Sequence, residues 1–295
     1  MRQTGPVPTE KKFETVDGYA VIDLDGASRS FGPIRSAKKV LQRTTIDLVR
    51  HATYALAIHE IDASGGAAAL NHDRAADDQS PVAAFSNELS SWAEGAGFSG
   101  HVGMGLGPDE IGPTLHPSAQ WRHELEAASA RAALPPVYSI VVVSDEDESS
   151  LTAPFMIPTV DIEPDLEAAL TSGADAVFVR GKTGAVNHEV LAETNVGHII
   201  GLQPLTTTAR GLAVASARGC VIVPDFLSAS GPCLAAASEL TNLSDLIMHV
   251  ESKTRAAAAR LTNEGTNSFV RACQLAEEHI LTWTSELPFG RPLAP

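Results

Sequence analysis

Apolar residues recur at helical spacing through Leu41, Thr45, Leu48, Ala52 and Ala55, which predicts a buried helix to about His59, then a short exit and a Gly65-Gly66 turn. Ahead of it, residues 18–25 (GYAVIDLD) alternate as a strand does, and Gly32-Pro33-Ile34-Arg35 is expected to open the long helix. The first 16 residues are polar and rich in proline, and read as a loose arm. Beyond the glycine pair, residues 71–79 are polar and acidic, and Ser80-Pro81 predicts the cap and first turn of a helix to about Gly95. A strand and loop over residues 100–112 precede an Ala/Glu-rich helix over residues 117–134, and Pro135-Pro136 reads as a domain boundary. Four apolar runs follow, at residues 138–143, 176–179, 198–202 and 220–223, with helical segments expected near residues 164–172, 187–194 and 207–218. Strands alternating with helices predict a parallel, doubly wound sheet. Residues 234–287 read as two helices broken near residues 263–265.

The fold class is therefore α/β in two domains. The expected division is an arm over residues 1–16, a first α/β domain over 17–134, a parallel-sheet domain over 137–233 and helices over 234–295 that pack back across the junction.

With 295 residues and 44% hydrophobic content the chain can bury a full core, and its net charge of −15 argues against nucleic acid or an anionic membrane as partner. The one basic cluster, Arg35, Lys38 and Lys39, reads as a solvated helix start. No window reaches the roughly 18 apolar residues of a membrane span, and no apolar run follows the N-terminal lysines, so the cytoplasm is the expected location. Cys220, Cys233 and Cys273 are odd in number and set in apolar sequence, which suits reduced core thiols, and no metal-ligand spacing is present.

The ordered segments carry a resemblance. Thr53-Tyr54-Ala55 ends the central helix and Ser64-Gly65-Gly66-Ala67 follows twelve residues on. Farther along come Asp109-Glu110-Ile111-Gly112 and the segment from Gly219 to Gly231, GCVIVPDFLSASG. This series is similar to the glutamate/leucine/phenylalanine/valine dehydrogenase family over residues 18–285. The resemblance implies that Ala55 and Ala67 stand where the family has the lysine that holds the substrate carboxylate and the lysine that assists at the α-carbon. A one-residue shift gives Leu56 and Ala68. It also implies that Arg35 lines the substrate site, with Pro33 in place of a glycine, and that Glu110 takes the place of a proton-managing aspartate. Ala229 replaces a substrate-side asparagine, Pro232 a glycine, and Gly201-Leu202-Gln203-Pro204-Leu205 lacks the asparagines of the nicotinamide turn.

A dinucleotide site needs a glycine-rich turn after its first strand, because only glycine lets backbone amides approach a pyrophosphate. Here VVVS runs into Asp145-Glu146-Asp147-Glu148, four carboxylates that repel one. VVVSD resembles the family's second Rossmann strand, which implies that the first strand and its glycine loop have been deleted. The glycines at 103, 105 and 107 do not replace it, since no strong apolar strand leads in and Pro108 follows. No cofactor and no metal are expected.

The expected function is a divergent amino acid dehydrogenase-like protein that has lost NAD-dependent oxidative deamination. In one reading it is repurposed for cofactor-independent proton transfer, such as isomerisation, elimination or cyclisation, on a small amino-acid-like substrate in the interdomain cleft. The candidate catalytic residues are His59 and Glu110, with Asp62 and Asp109 beside them; the candidate substrate-binding residues are Arg35, Tyr54, Ser64, Gly65, Gly66, Ser228 and Ser230. In a second reading the chain is a non-catalytic partner of a true dehydrogenase or a small-molecule sensor, and in a third it is a working NAD-dependent enzyme with an altered site. A homo-oligomer is expected, a dimer first, through an N-terminal strand able to pair across an edge.

Overall fold

The computed structural model describes residues 8–73, 75, 78–144 and 159–295. The chain divides into two compact units. Unit 1 comprises residues up to Arg122 with Pro232–Leu246 and Ala276–Pro292; unit 2 comprises His123–Gly231, Ile247–Leu275 and Leu293–Pro295.

Unit 1 is built on a mixed five-stranded sheet. Its strands are β1 (Thr9–Lys12), β2 (Gly18–Ile22), β3 (Ser30–Ala37), β4 (Ser64–Asn71) and β5 (Phe98–Val102), in the order β1-β2-β4-β3-β5. Strands β3, β4 and β5 are parallel and start level with one another, Ser30 opposite both Ser64 and Phe98. Helix α1 (Gln42–Ala57) packs on one face through Val49 against Tyr19, Val21, Ala67 and Ala69. Helix α2 (Ser80–Ala96) packs on the other through Val82, Phe85 and Leu89 against Ala20, Ile34, Ala68 and Leu70. The strict alternation along β2 and β4 assigns odd residues to α1 and even residues to α2.

Three elements differ from the sequence reading. The arm contains β1, which pairs antiparallel with β2, Thr9 opposite Ile22. Gly32-Pro33-Ile34-Arg35 lies inside β3 rather than opening α1, which starts at Gln42. Pro33 argued against a central strand because it lacks an N–H, yet it has a partner on the β5 side, at His101. Gly65-Gly66 is not a turn but part of β4. Glycine is needed there for closeness: a Cβ on Gly65 would sit 2.0 Å from Val49 O in α1, and one on Gly32 would sit 1.9 Å from Gly66 O.

In unit 2, β6 (Ser139–Val143), β7 (Thr159–Ile162), β8 (Ala176–Val179), β9 (His198–Gly201) and β10 (Val221–Val223) form an all-parallel sheet in the order β10-β9-β8-β6-β7. The apolar runs are four of these strands; β7 carries Asp161 within a short segment and gave no apolar signal. Among the helices of the chain, α4 (Arg122–Ala133) leads into β6, α5 (Leu166–Leu170) into β8, and α6 (Ala209–Ala217) into β10. Residues 187–194 form turns instead of the expected helix, although Asn187 Oδ1 accepts from the amides of Glu189 and Val190 as a helix cap does. Short α7 (Asp225–Ser228) and α8 (Gly231–Ala236) follow β10, and α9 (Leu243–Ala259) and α10 (Ser268–Trp283) end the helical part. Among the described residues no helix is long and apolar enough to cross a membrane.

Candidate functional site

On the α1 face of unit 1, Tyr19, Ala69 and Arg35 lie side by side across β2, β4 and β3. His101 projects on the same face, because it is opposite Pro33, two residues before Arg35. A Cβ added to Gly103, the next residue of that face, would meet Arg35 Cβ at 3.2 Å. Arg35 is half-buried, and its Nε has no hydrogen-bond partner among the described residues. Burial lowers its pKa, the neighbouring Tyr19 opposes that shift and Arg122 adds to it. A guanidinium remains charged through such a shift, so this face carries a cation with donor capacity to spare.

His101 was missed in the sequence reading, although two-residue alternation of β5 against Arg35 would have placed it. Its Nδ1 lies 3.3 Å from Val102 O and its Nε2 3.5 Å from Cys233 Sγ. A carbonyl can only accept, so Nδ1 donates and Nε2 accepts from the thiol. Burial pushes Cys233 up to about 12, which keeps the thiol protonated and matches that assignment. The pair is a polar wall, with no thiolate nucleophile. Ala55 and Ala67 are both fully buried.

The structure does not bring His59 and Glu110 together. His59 is buried just past the end of α1, in the turn that enters β4 at its amino end. Glu110 lies beyond the carboxyl end of β5 in a short helix α3 (Pro108–Ile111), whose Ile111 packs into the α2 core on the opposite face of the sheet. The sheet stands between them. Glu110 also closes a turn, its Oε2 accepting from the Gly107 amide, and Asp109 is exposed beside it. The preceding Gly105 is at φ 80, where a Cβ would strike Ser36 O at 1.9 Å, so these glycines serve a tight return rather than a phosphate. Asp62 is largely exposed and lies 3.0 Å from Nε2 of His279, a neighbour that the sequence did not suggest.

Several other candidates take part in hydrogen bonds within their own unit. Tyr54 donates from its hydroxyl to Glu277 at 2.9 Å, and Glu277 also receives Arg291 at 2.9 and 3.1 Å. Ser64 Oγ accepts from the Leu24 amide, and Thr53 Oγ1 accepts from the Gly65 amide at 2.9 Å while donating to Asp23 at 2.6 Å. In unit 2, Ser228 donates to Gly201 O at 2.6 Å and Ser230 to Leu227 O at 2.8 Å. Asp225 accepts from the Thr206 amide at 2.8 Å and ties down the turn after β9.

Because β6 is flanked by β7 on one side and β8 on the other, the connection reverses direction between β6 and β8. Ligands of such sheets bind outside the carboxyl ends at this point. The chain leaves β6 at buried Ser144, and the acidic residues 145–148 lie outside the described residues. Arg180, directly after β8, is buried and paired with Glu126 of α4 at 2.8 Å.

No protein-family profile matches the chain, and no curated protein is recognisably similar in sequence. Solved structures are similar in fold. Hetero-hexameric glutamate dehydrogenase from Thermus thermophilus, in a leucine-bound form, is 14% identical, with a TM-score of 0.74 over 91% of this chain and 84% of that one. L-Tryptophan dehydrogenase from Nostoc punctiforme is 13% identical, with a TM-score of 0.64 over 95% and 96%. Glutamate dehydrogenase from Peptoniphilus asaccharolyticus is 13% identical, with a TM-score of 0.66 over 94% and 91%. The chain has the two-domain fold of the amino acid dehydrogenases.

Proposed function

We propose that the chain is a divergent protein on the amino acid dehydrogenase fold that has lost NAD-dependent oxidative deamination and binds a small amino-acid-like carboxylate without oxidising it. The observation that carries this reading is Arg35, a half-buried cation whose Nε is unpartnered, on a face where the family lysines are replaced by buried alanine. A carboxylate there gains a charge-assisted hydrogen bond to a desolvated guanidinium. The lysine positions supply no amine for chemistry at the α-carbon. The chain acts as a sensor or as the partner subunit of an active dehydrogenase, and it self-associates as a dimer through the outer edge of β1.

The test is a thermal-shift screen with small amino and keto acids on wild-type, Arg35→Lys and Arg35→Met proteins. A ligand at 100 times its dissociation constant stabilises by about 2.7 kcal/mol, so a cognate acid registers clearly. The expected result is a shift in wild type, a reduced one in Arg35→Lys and none in Arg35→Met. Equal shifts in all three proteins would remove Arg35 from the site.

One observation favours the catalytic alternative, a cofactor-independent proton transfer. Asp62, three residues after His59, and His279 are within ion-pair distance, and a histidine beside a carboxylate is a group suited to proton transfer. That reading predicts turnover of the bound acid that is abolished by His279→Gln.

A further inference from the structure

A separate cavity lies within unit 2, against β10, the edge strand of the parallel sheet, and has a volume of about 290 Å³. Its walls come from the end of α4, the end of α9 and the segment after β10. They include Ala132, Ala133, Ala258, Ala259, Val223 and Leu227. An apolar cavity of about 150 Å³ holds one benzene, so this one accommodates a body of roughly twice that size. A dinucleotide does not fit.

Charge narrows the class. The chain as a whole is acidic, at −15, but among the described residues the charged or titratable side chains lining the cavity are Arg255 and His198, with no Asp or Glu. Arg255 is weakly committed: its side chain is 68% exposed and lies 3.9 Å from Glu251, whose other oxygen receives Arg131 at 2.9 Å. The guanidinium can therefore turn to an anion at the mouth. An ammonium group would find no carboxylate on the wall, which separates a simple acid from an amino acid.

We propose that this cavity binds a small amphipathic carboxylic acid, its apolar body between α4 and α9 and its carboxylate on Arg255. The site is independent of the Arg35 face and stands or falls without it.

The experiment is calorimetric titration of the full chain with 3-phenylpropionate, its neutral analogue 3-phenylpropan-1-ol, and phenylalanine. Expected is saturable one-site binding of the acid with a dissociation constant below about 1 mM, with the alcohol weaker and phenylalanine weaker still. Arg255→Gln, a substitution at an exposed position, should weaken the acid about tenfold, and Ala258→Leu should abolish binding by filling the cavity. If Ala258→Leu fails to fold, displacement of the acid by xenon-sized apolar gas or by benzene in the wild type replaces it. No saturation with the acid, equal affinity in Arg255→Gln, or an alcohol or phenylalanine that binds as tightly would each overturn the proposal.

Discussion

Replacing Asp23 with Asn tests the idea that the core of unit 1 is kept as scaffold. Asp23 follows β2, is 2% exposed and accepts from Thr53 Oγ1, which in turn accepts from the Gly65 amide. Burial raises its carboxyl from 3.8 to about 6, against the opposing pull of the Thr53 hydrogen bond and then of Arg50. Arg50 is itself taken up by Asp47 at 3.1 Å. A raised acid binds its proton more tightly in the folded state than in the unfolded one. Stability is thus full below the unfolded pKa and falls as pH rises through the window from 3.8 to about 6. At about 1.36 kcal/mol per pH unit the whole effect is about 3 kcal/mol, of which about 2 kcal/mol falls between about pH 4.5 and 7.5. Asn carries no such proton and can still accept from Thr53. Relative to wild type, Asp23→Asn should therefore gain about 2 kcal/mol over that interval, a urea-midpoint shift of about 1 M. All three tryptophans, Trp92, Trp121 and Trp283, belong to unit 1, so intrinsic fluorescence reports its unfolding. Urea curves whose separation is the same at both pH values would refute the reasoning and return Asp23 to an ordinary carboxylate.

Other substitutions separate scaffold from site. Glu126→Gln removes the carboxylate that faces buried Arg180 at 2.8 Å, the two side chains being 3% and 4% exposed, and should cost unit 2 about 3–5 kcal/mol in circular-dichroism melts. Gly65→Ala forces a Cβ to within 2.0 Å of Val49 O and should destabilise unit 1 by about 1–3 kcal/mol, read as a lower fluorescence midpoint. Glu110→Gln keeps an acceptor for the Gly107 amide and should leave carboxylate affinity within about twofold of wild type; a loss of tenfold or more, about 1.4 kcal/mol, would restore Glu110 to the ligand site.

Much of the scaffold is legible in the sequence because it rests on local patterns. The spacing from Leu41 to Ala55 marks α1, Ser80-Pro81 marks α2, and four apolar runs mark β6, β8, β9 and β10. Strand β3 was illegible because Pro33 forbids a regular ladder, and only tertiary pairing with β4 and β5 makes an extended segment of it. Gly65-Gly66 imitates a turn, whereas the requirement is close approach of β4 to α1, which no local rule encodes.

The site was less legible than the fold. The resemblance set His59 and Glu110 on opposite walls of one site; in the structure their neighbouring helices α1 and α2 cover opposite faces of the sheet. Tyr54, Ser64, Ser228 and Ser230 are expected as ligand contacts from their positions in matching segments, and each also forms a hydrogen bond within the fold that no local pattern signals. His101 and Cys233 are 132 residues apart, so their contact has no sequence signature.

The central claim is that the fold has been kept while the nicotinamide chemistry has not. Calorimetric titration of the full chain with NADH and with NADPH, at up to millimolar concentration, tests it most directly. No binding tighter than a dissociation constant of about 100 μM, roughly 5.5 kcal/mol, is expected. A tighter constant for either nucleotide, or reduced nicotinamide appearing when an amino acid and NAD are added together, would contradict it.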